Sequence, residues 1–122
     1  MKKTSMVLAL LMLLMVGACG NAGYKNVSQE EAKKLIDKKE VTVLDVRTPE
    51  EFQQGHIPGA TLIPVQILDG SLDELDKDTA YLVVCRSGNR SVQASDILTN
   101  NGFTQVYNMT GGMNTWTYEL EQ

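Results

Sequence analysis

The chain is poor in cysteine, histidine, proline and basic residues, and each of these shortages excludes a class of protein. It holds two cysteines and one histidine, which is too few for a structural zinc site built from four Cys or His ligands. Its 11 basic residues are outnumbered by 15 acidic ones, whereas a nucleic-acid binder normally carries a basic patch. With 10 Gly and 3 Pro in 122 residues, it is neither collagen-like nor low-complexity. An acidic chain of single-domain length remains, since domains cluster at about 100–150 residues.

The sequence has one long hydrophobic run, at residues 6–16. This run is too short to span a bilayer comfortably, because a transmembrane helix needs about 20 apolar residues. Lys2 and Lys3 precede it, and the small residues Gly17 and Ala18 follow it. A basic start, an apolar core and a small-residue exit are typical of a secretory signal peptide. We therefore predict that residues 1–18 are a signal peptide and that the chain is exported.

The residue after this segment is Cys19, and residues 16–19 (VGAC) resemble a bacterial lipobox. The resemblance implies that Cys19 is lipidated, becomes the mature N-terminus and attaches the protein to a membrane of the bacterial cell envelope, facing the periplasm or the cell surface. An ordinary signal cut before Cys19 and an uncleaved anchor helix are the alternatives. We assign residues 19–26 to the lipidated cysteine and a short polar tether, and residues 27–122 to one domain.

Helical and strand patterns alternate along this domain. Predicted strands cover residues 41–46, 60–64, 80–84 and 106–109. Helices are predicted from Ser28 to Lys39, from Thr48 to Gly55, over one turn at residues 71–75, along residues 92–98 and over residues 113–120. The alternation predicts an α/β fold with a mainly parallel central sheet flanked by helices on both faces.

Cys85 ends the most apolar strand and has no partner in the chain if Cys19 carries lipid. In parallel sheets, ligands bind beyond the carboxyl ends of the strands. Backbone N–H groups in the following turn, the start of a helix and two arginines would favour thiolate over thiol. The alternative is a small buried cysteine beside ordinary surface charges. The turn and the start of the helix contain Arg86, Ser87, Gly88, Asn89, Arg90 and Ser91.

Three stretches carry a resemblance to one family. Residues 44–60 contain LDVRTPEEF and GHIPGA, residues 85–91 are CRSGNRS, and residues 102–116 contain GF, VYN and GGM-x-x-W. In this order they are similar to the first signature, the active-site loop and the C-terminal signature of rhodanese domains. The resemblance covers residues 27–118.

The resemblance implies a thiosulfate-type sulfurtransferase that needs no metal or organic cofactor. Cys85 would take sulfane sulfur from a small anionic donor, and cyanide or a thiol would accept it. Arg86 and Arg90 would bind the sulfite portion of the donor, and the N–H groups of residues 86–91 would hold the persulfide.

The other special residues are interpreted mainly as scaffold. Asp45 is expected to pair with Arg47 or to brace the loop, because sulfur transfer from thiosulfate needs no strong general acid. His56 is interpreted as a hydrogen-bonded turn residue rather than a base. Trp116 is spaced with Met113 and Leu120 as a core face.

Two alternatives from other classes stay open. Rhodanese-like folds also host phosphatases and arsenate reductases, but cysteine phosphatases use a Cys-x5-Arg loop, whereas Cys85 and Arg90 are separated by four residues. The second alternative is a non-catalytic interaction module. We expect a monomer that does not bind nucleic acid.

Overall fold

A computed structural model of the protein describes residues 23–122. The predicted signal peptide, Cys19 and residues 20–22 of the tether lie outside these residues. None of the helices among residues 23–122 has the length and hydrophobicity of a transmembrane span. In chain order, the helices and strands are β1 (Lys25–Val27), α1 (Gln29–Asp37), β2 (Thr42–Asp45), α2 (Pro49–Gln54), β3 (Thr61–Leu62), α3 (Val65–Leu68), β4 (Tyr81–Val84), α4 (Asn89–Asn100) and β5 (Val106–Met109). Short 3₁₀ turns cover Leu72–Glu74 and Gly112–Thr115.

The five strands form one sheet in the order β1-β5-β4-β2-β3. Every neighbouring pair is parallel. The register places Asp45, at the end of β2, beside Val84, at the end of β4. Because both strands end at the same edge of the sheet, the residues that follow them meet there.

Hydrophobic side chains pack on both faces of the sheet. Strand β4 alternates, with Tyr81 and Val83 in one core and Leu82 and Val84 in the other. The first core is covered by α3 and α4, and the second by α1. A strand buried on both faces is what a nearly continuous apolar run predicts. The predicted α/β class, with a parallel sheet between helices, is confirmed.

Two capping boxes fix the starts of α1 and α2. Ser28 accepts from the N–H of Glu31, and Thr48 accepts from the N–H of Glu51, while each glutamate bonds back to the N-cap N–H. These reciprocal bonds satisfy N–H groups that a helix start otherwise leaves open. The Ser-x-x-Glu and Thr-x-x-Glu spacings therefore predicted both helix starts correctly.

The sheet begins earlier than the sequence indicates. Strand β1 starts at Lys25, two residues before the predicted start of the domain, and pairs with Tyr107 through Met109 of β5. Its three residues include one buried side chain, Val27. So short and polar a segment carries no alternation signal, and its pairing with β5 comes from tertiary context.

The prediction of a closing helix over residues 113–120 is wrong. Only the 3₁₀ turn Gly112–Thr115 forms, and Trp116 has extended backbone angles. The N–H of Thr117 donates to the Gln29 side chain at 2.9 Å. Two backbone bonds between His56 and Glu121 then draw the chain end across the domain. Leu120 is therefore 53% exposed instead of completing a core face.

Candidate active site

The Cys85 thiol lies in the turn between β4 and α4 and is 1% exposed. The N–H of Gly88 donates to its Sγ at 3.0 Å. Sγ in turn donates to the Ser91 hydroxyl at 3.3 Å, and that hydroxyl donates to the Gly88 carbonyl at 3.1 Å. The sulfur is thus held between a backbone donor and a hydroxyl that is able to turn and donate to a thiolate. The sequence pattern indicated a role for the backbone N–H of Ser91 but not for its hydroxyl.

Gly88 makes this turn possible. It is the N-cap of α4 and has a φ of 105°, a region that L side chains rarely adopt. The turn directs the N-terminus of a 12-residue helix towards the sulfur, and that end of a helix favours negative charge. The side chains of Ser87 and Asn89 on either side of Gly88 are exposed.

A second glycine turn supports the loop from the other side. The N–H of Met113 donates to the Cys85 carbonyl at 2.8 Å, and the N–H of Asn114 donates to the Arg86 carbonyl at 2.9 Å. A Cβ placed on Gly112 would lie 2.5 Å from both carbonyl oxygens. Only glycine permits this approach, so the pair Gly111-Gly112 of the C-terminal signature has a physical reason: it fixes the backbone that carries the thiol.

Glu51 holds both arginines that flank the thiol. Arg90 donates to the two oxygens of Glu51 at 2.7 and 2.9 Å, and Arg86 Nε lies 3.3 Å from Oε2. In the sequence, Glu51 is identifiable only as part of a helix cap. The capping-box spacing from Thr48 was enough to explain a glutamate at position 51. No pattern in the sequence linked Glu51 to residues on another helix or strand.

Glu51 and Arg90 are both ionised over the ordinary pH range. Hydrogen bonds from Arg90 hold the pKa of Glu51 at about 2, below its ordinary 4.5. The same contact raises the pKa of Arg90. The structure therefore places a carboxylate, as well as two guanidinium groups, at the edge of the loop.

Asp45 and Arg47 form a separate and buried pair. Arg47 Nη2 lies 2.8 Å from Asp45 Oδ2 and also donates to the Gly55 carbonyl at 2.9 Å. The backbone N–H of Arg47 donates to the same carboxylate at 3.1 Å. Asp45 therefore does pair with Arg47, and the pair ties the end of β2 to the end of α2.

The only histidine is occupied by structural contacts. His56 Nδ1 lies 2.8 Å from the Phe52 carbonyl, and its ring stacks on the Phe52 ring with centroids 3.6 Å apart. Its Nε2 faces Glu121 at 3.4 Å. This is the geometry of a hydrogen-bonded turn residue.

A small pocket of about 190 Å³ opens beside Arg86. The pocket is partly apolar, and its lining includes Trp116, which packs against the second core without lying fully inside it. In residues 23–122, no group of three or more His, Cys, Asp or Glu side chains is placed to hold a metal ion. The pocket lining consists of Arg47, Glu51, Gln54, Gly55, Arg86, Met113, Asn114, Trp116 and Leu120.

The thiol is buried at the carboxyl edge of a parallel sheet, with an N–H donor and a helix start directed at it. The rhodanese-like domain family matches residues 28–119. The chain belongs to that family.

Named relatives agree with this assignment. The chain is 37% identical over 89 residues to a protein named sulfurtransferase from Allochromatium vinosum, covering 73% of this chain and 83% of that protein. It is 33% identical over 93 residues to the thiosulfate sulfurtransferase GlpE of Pseudoalteromonas translucida, covering 76% and 89%.

Solved structures show the same fold. A rhodanese-related protein from Thermoplasma volcanium superposes with a TM-score of 0.75 at 32% identity, over 80% of this chain and 98% of its own. A rhodanese-like domain protein from Staphylococcus aureus gives 0.73 at 37% identity, over 80% and 96%.

Proposed function

We propose that this protein is a sulfurtransferase that moves sulfane sulfur from thiosulfate, or a related donor, to cyanide or a thiol through a persulfide on Cys85. The observation that carries the proposal is the Gly88 N–H donating to Cys85 Sγ at 3.0 Å, at the start of α4. This donor is placed to stabilise negative charge on Cys85 Sγ as the attacking thiolate. The relatives named sulfurtransferase support the same activity.

The reaction is a two-step transfer. The Cys85 thiolate attacks the outer sulfur of thiosulfate, a new S–S bond forms, and the donor's S–S bond breaks with its electron pair leaving on sulfite. Cyanide then attacks the terminal sulfur of the persulfide, giving thiocyanate and regenerating the thiolate. Such double displacement has ping-pong kinetics. The side chains of Arg86 and Arg90 are the cations available to bind the sulfite portion of the donor. The N-terminus of α4 favours negative charge on the Cys85 sulfur.

The alternative phosphatase or arsenate reductase fits the fold equally, because one fold hosts several chemistries. Four residues separate Cys85 from Arg90, one fewer than the loop of cysteine phosphatases. The shorter loop encloses less space and suits a sulfur atom better than a phosphate group. An interaction module would have no use for a thiol held by a backbone donor.

Peptide-level mass spectrometry tests the proposal on the full chain. After thiosulfate and alkylation, the peptide containing Cys85 should gain the mass of one sulfur atom, and cyanide should remove it. Cys85→Ser should abolish thiocyanate formation, whereas Cys19→Ser, which removes the other cysteine, should leave sulfur uptake unchanged.

Two results would contradict the proposal. If Cys85 is alkylated rapidly near neutral pH and takes no sulfur, a phosphatase or arsenate reductase becomes the better interpretation. If Cys85 is inert to both reagents, the interaction module is left.

We further propose that Cys19 carries lipid and holds the domain in the bacterial cell envelope. The support is the basic start, the apolar run and the VGAC sequence. Cys19→Ser should abolish the incorporation of labelled fatty acid into the protein, and undiminished incorporation would refute the lipid anchor on Cys19.

A further inference from the structure

The carboxylate of Glu51 occupies the arginine side chains that an anionic sulfur donor would use. It comes from the first turn of α2 and reaches Arg90 on α4 with two bonds, at 2.7 and 2.9 Å. Arg86, on the loop itself, lies 3.3 Å from the same group. A donor that binds either guanidinium must therefore share it with Glu51 or displace Glu51 from it.

The charge count around the loop depends on this one residue. Asp45 and Arg47 neutralise each other at 2.8 Å. In residues 23–122, Glu51 is the acidic group in contact with Arg86 and Arg90, so this cluster has one net positive charge where the two arginines alone would give two. Arg90 also stands in the first turn of α4, where the helix dipole disfavours a cation and where no acidic residue is present.

This net charge matters more to one donor class than to another. Attack of the thiolate on thiosulfate, a dianion, gathers three negative charges at the loop. Attack on an organic thiosulfonate, a monoanion with the same sulfane sulfur, gathers two. A nearby carboxylate repels the dianion about twice as strongly as the monoanion, because Coulomb energy scales with the product of the charges.

We infer that Glu51 determines donor specificity, reducing the use of inorganic thiosulfate and favouring sulfane-sulfur donors with a single negative charge, such as organic thiosulfonates. A repulsive element placed against one ligand is an ordinary route to specificity. This inference rests on the proposed sulfur transfer, and it makes Glu51 a positioning residue that acts through the two arginines.

The test compares two donors in one variant. Glu51→Gln removes the charge and keeps an amide oxygen that is able to accept from the Thr48 N–H, as Glu51 does at 3.1 Å, so α2 keeps its cap. The adjacent Glu50, exposed and in the same turn, provides the control Glu50→Gln with the same loss of charge. The probes are thiosulfate and the methanethiosulfonate anion, which leave as sulfite and methanesulfinate.

The readout is the rate of persulfide formation on Cys85 as a function of donor concentration, which separates KM from kcat. Glu51→Gln should raise kcat/KM for thiosulfate about tenfold and for methanethiosulfonate about threefold, mostly through KM. Any change in the thiolate fraction of Cys85 affects both donors alike and cancels in their ratio. The ratio should shift less at high salt, because ions screen the partly exposed charges.

Three results would overturn the inference. An unchanged ratio would give Glu51 no part in selection, and an equal change in Glu50→Gln would assign the effect to overall charge. A ratio that moves against thiosulfate would show that Glu51 holds the arginines in place for the dianion. If neither donor transfers sulfur to Cys85 in the wild-type protein, the proposed function itself fails, which is a different result from any of these.

Discussion

Two carboxylates near the Cys85 loop, Asp45 and Glu51, pair with arginines, and the two sites differ in burial. The Asp45–Arg47 pair has a 2.8 Å contact, and its side chains are 0% and 6% exposed. The Glu51–Arg90 pair has contacts of similar length, but its side chains are 17% and 30% exposed. The difference shows that contact distance alone does not tell whether a pair builds the fold or meets a ligand.

Burial decides how easily each pair separates. Removing one member of a buried pair leaves the other as an uncompensated charge away from water, which is strongly destabilising. A partly exposed pair loses little, because water replaces the lost partner. The Asp45–Arg47 pair is therefore suited to a structural role between the ends of β2 and α2. In the Glu51–Arg90 pair, an anionic ligand could replace Glu51 as the partner of Arg90.

The largest expected effect comes from breaking the buried pair. Arg47→Met should lower the free energy of unfolding by about 3–5 kcal/mol, since it strands the Asp45 carboxylate. Arg90→Met should cost about 1 kcal/mol or less. Urea denaturation monitored by circular dichroism measures both values.

A double variant controls for lost packing. In Asp45→Asn with Arg47→Met the stranded charge is gone, so part of the stability lost in Arg47→Met should return. Equal losses in Arg47→Met and Arg90→Met would contradict the distinction between the two pairs.

A smaller effect is expected from changing Gly112, the glycine that packs against the backbone of the Cys85 loop. Gly112→Ala would place a Cβ 2.5 Å from the carbonyls of Cys85 and Arg86, so the loop must shift. Persulfide formation should fall about tenfold or more, since small displacements of reacting groups are costly. Gly59→Ala is the matched control, because Gly59 also has a positive φ, of 80°, and a Cβ there meets nothing within 4 Å.

The Gly59→Ala control separates the cost of a positive φ from the steric clash with the Cys85 loop. Both substitutions carry the penalty of a positive φ, so both should lower stability. Sulfur transfer should fall only in Gly112→Ala. An unimpaired Gly112→Ala enzyme would show that the bonds from Met113 and Asn114 do not position the thiol.

Local patterns in the sequence predicted much of this fold. The capping boxes at Ser28 and Thr48 and the apolar run of β4 depend on neighbouring residues, so their signals are complete in the sequence. Strand β1 is different, because Lys25 and Asn26 become strand residues only by pairing with β5. The end of the chain is different too, since contacts to Gln29 and His56 replace the predicted helix.

The site shows the same division. Cys85, Arg86 and Arg90 could be selected because they share one short turn beyond a strand. Glu51 could not, because 39 positions separate it from Arg90 and its cap spacing already accounted for it. The role of Gly112 was likewise hidden, since a close approach to the Cys85 carbonyl exists only in the folded chain.

The smallest expected effect concerns the acid stability that the exposed pair contributes. Bonds from Arg90 lower the pKa of Glu51 from 4.5 in the unfolded chain to about 2 in the folded one. A carboxyl whose pKa is lowered by folding stabilises the fold above its unfolded pKa and loses that contribution as the pH falls through its folded pKa. The wild-type protein should therefore exceed Glu51→Gln in unfolding free energy by about 1 kcal/mol or less at neutral pH. That difference should shrink between pH 4.5 and pH 2, as measured by urea denaturation across this range. A difference that persists undiminished at pH 2 would assign the contribution to the helix cap, which the amide of Gln would then be failing to reproduce, and not to the charge on Glu51.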